Sequence, residues 1–73
     1  MLINLTVAEL RSVAHAGASL EVDGARFTTD ELRSIAHALS KNSYLKVFNG
    51  NSKTVDELRS IAHAAAPGNV IFA

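Results

Sequence analysis

Cysteine is absent from the 73 residues, which removes disulfide staples and thiolate metal centres from consideration. An excess of charge is missing as well, because seven Lys and Arg balance seven Asp and Glu. A chain without net charge has no long-range field drawing it to nucleic acid or anionic lipid, so neither is expected as a partner. Proline occurs once and tryptophan not at all, while apolar residues make up 48% of the chain. That balance belongs to a globular domain and excludes a disordered tail. No apolar run approaches the roughly 20 residues that a membrane-spanning helix requires. The opening MLINLTVAEL lacks the basic start and continuous apolar stretch of a signal peptide. No membrane association is expected, and the expected location is cytoplasmic. A single domain of this length has a limited core, which rarely supplies more than about 3–5 kcal/mol.

What the chain does contain is repetition. ELRSVAHA occupies residues 9–16, and ELRSIAHA occupies residues 31–38 and 57–64. Each copy is preceded by a threonine three residues before its glutamate: Thr6 and Glu9, Thr28 and Glu31, Thr54 and Glu57. This is the spacing of a capping box. The threonine hydroxyl accepts from the backbone N–H three residues on, and the glutamate carboxylate reaches back to the threonine N–H. Three helix starts are thereby placed. Behind them, Leu10, Val13, Ala14 and Gly17 form an apolar stripe at helical spacing. Leu32, Ile35, Ala36 and Leu39 repeat it, as do Leu58, Ile61, Ala62 and Ala65. Stop signals follow at Gly17, near Lys41 and Asn42, and before Pro67 and Gly68.

Between the helices lie short β-like runs at residues 2–5 (LINL), 19–22 (SLEV), 44–48 (YLKVF) and 69–73 (NVIFA). Alternation sets Leu20 and Val22 on one face with Glu21 on the other, and Leu45 and Val47 opposite Lys46. The order is β-α-β-α-β-α-β, with the octapeptides 22 and then 26 residues apart. A strand, a helix and a second strand in that length call for parallel strands joined by right-handed crossovers. Because the middle strands alternate, the helices are expected on one face only. The expected fold is therefore a two-layer, solenoid-like α/β domain with a parallel four-stranded sheet in the order 1-2-3-4. Its units would cover residues 1–17, 18–42 and 43–66, with a final strand at 69–73. The patterns Leu20-x-Val22 and Leu45-x-Val47 resemble the strand motif of leucine-rich repeats of the ribonuclease-inhibitor type. Ala25 and Gly50 stand where that family carries its asparagine. The resemblance implies a binding scaffold and not an enzyme.

The repeated polar residues invite chemistry. On a helical wheel with Leu10 at zero, Arg11 falls at about 100° and Glu9 at about 260°, on opposite flanks of the stripe. In a row of parallel helices this predicts Glu–Arg pairs between neighbours, each of modest value at the surface. His15, His37 and His63 fall on the outer surface. Neighbouring helices are about 8–10 Å apart, and zinc binds nitrogen at about 2 Å, so three histidines in a row are not expected to share an ion. Ser12, Ser34 and Ser60 each precede a histidine by three residues. A nucleophile also needs an oriented base, an oxyanion hole and a pocket, so no catalytic residue is assigned. No phosphate-binding glycine motif occurs and no cofactor is expected.

The remaining expectation concerns the uncovered sheet face. If the middle strands direct Leu20, Val22, Leu45 and Val47 at the helices, the other face carries Glu21, Tyr44, Lys46, Phe48 and Ile71. Asn4 and Asp23 fall there too. Such an apolar patch calls for a partner. The last strand presents an open edge, and the array shows no dedicated capping unit. A non-enzymatic interaction or scaffold module is expected, forming a homodimer or higher homo-oligomer through that face or edge, with another protein as a further partner. The alternative is a small ligand-binding protein or enzyme, with its site in the VDGARF and FNGNSK loops, where open parallel sheets hold ligands.

Overall fold

The computed structural model describes residues 5–73. Three helices alternate with three strands: α1 (Val7–His15), β1 (Leu20–Asp23), α2 (Thr29–Ala38), β2 (Leu45–Phe48), α3 (Val55–His63) and β3 (Val70–Phe72). A 3-10 turn at Gly50–Ser52 follows β2. The expected strand at residues 2–5 lies outside the described residues, apart from half-buried Leu5 packed at the margin of the core. The strands are parallel in the order β1-β2-β3.

All three capping boxes are formed with the expected partners. In each, the threonine Oγ accepts from the glutamate N–H at 3.2 Å, and the glutamate Oε1 accepts from the threonine N–H at 2.8 Å. The identical geometry follows from identical local sequence, since a capping box involves only residues three apart. The helix ends vary more. Gly17, with φ of +109°, takes the chain out of α1, and Gly68, with φ of +82°, turns it into β3. Helix α2 stops at Ala38, before the expected Lys41, because Leu39 adopts an extended conformation and packs at the edge of the core.

One cluster forms the core. Leu10 and Ala14 from α1, Leu32, Ile35 and Ala36 from α2, and Ile61 from α3 are buried with Leu20, Val22, Leu45 and Val47 of the sheet. The helices therefore pack on a single face, as the alternation of β1 and β2 requires. Phe27, in the loop after β1, completes the cluster. The third apolar stripe departs from the first two: Leu58 is half-buried and Ala62 exposed, whereas Leu10, Leu32, Ala14 and Ala36 are buried. Helix α2 is covered by α1 and α3 on its two sides, and α3 has a described helical neighbour only at α2.

Polar stitches hold the turns at both ends of the sheet. At the amino end, buried Ser43 donates through Oγ to the Gly17 carbonyl at 2.7 Å. Ser19 Oγ accepts from the Tyr44 N–H, and Asn69 donates through Nδ2 to the Lys41 carbonyl. At the carboxyl end, the Gly24 N–H donates to the Phe48 carbonyl at 2.6 Å, and Lys53 donates through Nζ to the Phe27 carbonyl at 3.0 Å. Each turn is thus tied to the next one along the sheet.

Candidate functional site: the open sheet face and the β3 edge

Strand register brings the expected surface residues together. Glu21, Lys46 and Ile71 are direct neighbours across β1, β2 and β3, and Asp23 stands beside Phe48. Tyr44 falls two residues before Lys46, so strand parity puts it on the same face. Tyr44 is 41% exposed and Ile71 is 42% exposed. Phe48 is half-buried instead of bare, because the Lys46 ammonium lies over its ring at 5.2 Å from the centroid. A cation above an aromatic face is attracted by the ring quadrupole, and the lysine stem shields apolar surface.

Phe72 is a residue that patch reasoning did not select. Its register partner is Val47, which puts it on the helix side of the sheet, yet it is 39% exposed. It lines a hollow of about 210 Å³ with Gly50, Asn51, Leu58 and Ala73. The period-two pattern assigns Phe72 to the helix face; only the placement of α3 leaves it uncovered there.

The two loops at the carboxyl end of the sheet are closed on themselves. Asp23 Oδ1 accepts from the Ala25 N–H at 2.9 Å and from Asn49 Nδ2 at 3.3 Å. Arg26 lies over the Phe27 ring at 4.8 Å and donates through Nη2 to the Leu5 carbonyl. Asp23 and Arg26 of VDGARF, and Asn49 and Lys53 of FNGNSK, already serve as structural ties.

On the outer helix surface, His15, His37 and His63 are exposed. Arg11, Ser12 and His15 of α1 line a groove of about 460 Å³ with His37 and Ala38 of α2. Among the described residues, no hydrogen bond joins a serine to a histidine, and no three potential metal ligands converge. Among the described residues, the expected Glu–Arg pairs between helices do not form either. The ion pair among the described residues is Arg33 with Asp30 at 3.8 Å, within α2. The tie between α2 and α3 is instead Thr29 Oγ1, which donates to Glu57 Oε2 at 2.9 Å. Each glutamate Oε1 is instead taken by the backbone N–H of its own capping threonine.

Capping also sets the acidity of two carboxyls. Glu9 is held below the usual 4.5 by the backbone hydrogen bond from Thr6 and then by the Thr6 side chain. Glu57 is lowered by the Thr54 backbone hydrogen bond first and by the Thr29 hydroxyl second. Donors aimed at a carboxylate favour its charged form.

No protein-family model, curated protein or solved structure matches the chain.

Proposed function

We propose that the chain is a non-enzymatic interaction module, a solenoid-like α/β repeat scaffold that self-associates through its open sheet face or through the edge strand β3. The observation that carries this reading is the exposure of Tyr44, Ile71 and Phe72 around β2 and β3. Tyr44 and Ile71 share the open face and Phe72 is bare on the helix side of the same edge; exposed apolar side chains at one margin of a sheet mark an interaction surface, and a core of this size gains from further burial. Each Å² of apolar area removed from water contributes about 25 cal/mol before the cost of association. The closed loops and the capping role of the repeated glutamates support a binding role over a catalytic one.

The test is solution mass by multi-angle light scattering across a concentration series. A dimer or higher oligomer in the micromolar range is expected. A wild-type chain that stays monomeric at high micromolar concentration refutes the reading.

A further inference from the structure

We infer that the surface offered to a second copy is the free edge of β3, paired antiparallel about a two-fold axis that passes beside Ile71. This rests on the self-association reading above and selects the edge over the face. The ladder to β2 decides which groups are free. The Leu45 N–H donates to the Asn69 carbonyl at 2.8 Å, and the Ala73 N–H donates to the Val47 carbonyl at 2.9 Å. In a parallel ladder alternate residues of one strand make the bonds, so Asn69, Ile71 and Ala73 turn their backbone groups to β2. Val70 and Phe72 turn theirs the other way, where no strand is present among the described residues.

Those groups fit their own copy in one register. If Val70 opposes Phe72 of the second copy, the two residues exchange both hydrogen bonds, and symmetry repeats the pair. Ile71 then opposes Ile71 of the second copy at a non-hydrogen-bonded position, where Cα atoms approach to about 4.5 Å. On the open face the pairing covers Ile71 with its equivalent. On the helix face it sets Val70 of the second copy beside Phe72 and the hollow next to Leu58.

Charge separates this edge from the other outer strand of the described sheet. Residues 69–73 carry no charged side chain, and the three-residue β3 is guarded by its shortness alone, without lysine, proline or a bulge. Strand β1 carries Glu21 and Asp23, which would face their own copies across a two-fold axis. The repeats mark the same side by internal comparison. The alanine buried at position 14 and at position 36 is exposed at position 62, and the leucine buried at 10 and 32 is half-exposed at 58. Uncovered apolar surface is concentrated along α3 and β3, where the paired copy would sit.

The experiment uses single cysteines in this cysteine-free chain, with light scattering on the wild type run beside it. Paired Cα atoms at about 4.5 Å lie within disulfide range, which extends to about 6.8 Å. Ile71→Cys should therefore oxidise to a covalent dimer, whereas Lys46→Cys, one strand further from the axis, should not. In the wild-type dimer the Val70 and Phe72 amides should exchange slowly with deuterium, and dilution to monomer should remove that protection. A wild-type dimer in which those amides exchange freely, and in which Lys46→Cys cross-links in preference to Ile71→Cys, overturns the edge and leaves self-association through the face. A wild-type monomer overturns both.

Discussion

Gly24→Ala is expected to be among the most damaging small substitutions in this protein. Gly24 follows β1 in the buried layer, and a Cβ built there falls 2.7 Å from Val47 Cγ1 and 2.8 Å from the Phe48 carbonyl oxygen. Neither neighbour can yield freely. Val47 is buried in the core, and the Phe48 carbonyl accepts the Gly24 N–H at 2.6 Å. Forcing extra volume into a packed core costs about 1–3 kcal/mol. Stretching the adjacent hydrogen bond adds about 0.5–1.5 kcal/mol. The expected loss is roughly 2–4 kcal/mol, most of what a core of this size supplies. The assay is urea denaturation followed by far-UV circular dichroism, at one fixed protein concentration so that any association contributes equally. Two other glycines calibrate it. Gly68→Ala meets open space but must keep a φ of +82°, a left-handed penalty of about 1–2 kcal/mol. Gly50→Ala meets only Leu58 Cδ2 at 3.6 Å, an ordinary contact, and should cost least. The order of loss is therefore Gly24, then Gly68, then Gly50. A Gly24→Ala midpoint equal to wild type, or above that of Gly50→Ala, refutes the steric reasoning.

Thr28→Ala and Thr54→Ala each remove one hydroxyl acceptor from a helix start and should lower stability by about 0.5–2 kcal/mol without altering the fold. Unchanged denaturant midpoints for both would contradict the capping geometry. Acid should destabilise the protein through Glu9 and Glu57. Their carboxyls are lowered in the folded state, so their contribution is full above the usual 4.5 and is lost as pH falls through the depressed folded values. Glu57→Gln should flatten the acid limb of a stability–pH curve, and an unchanged limb argues against the linkage. Dialysis against Zn²⁺ followed by elemental analysis should find no stoichiometric ion, and one tightly held ion per chain would overturn the spacing argument for the histidines.

The three helix starts, the apolar stripes and the alternation of β1 and β2 were legible in the chain because each depends on residues within one or two turns of each other. A Thr and a Glu three apart cap a helix wherever they occur, and Leu20, Glu21 and Val22 must point to alternate faces of any strand. The tertiary structure decided everything that depends on which segments become neighbours. Glu57 meets Thr29 rather than an arginine, with its Oε1 taken by the N–H of its own capping Thr54. Lys46 lies over Phe48, so one of the three apolar side chains of the expected patch is shielded. Nothing in the residues around Gly24 marks its constraint; β2 imposes it by bringing Val47 and the Phe48 carbonyl within 3 Å of where a Cβ would lie. The clearest division falls within the repeat itself. ELRSIAHA is identical at residues 31–38 and 57–64, and local geometry makes both copies the same capped helix. Ala14 and Ala36 are nevertheless buried and Ala62 exposed, because among the described residues a further helix packs beside α1 and α2 on that flank and none follows α3. Propensity and capping act within a helix, whereas burial is a property of what packs beside it.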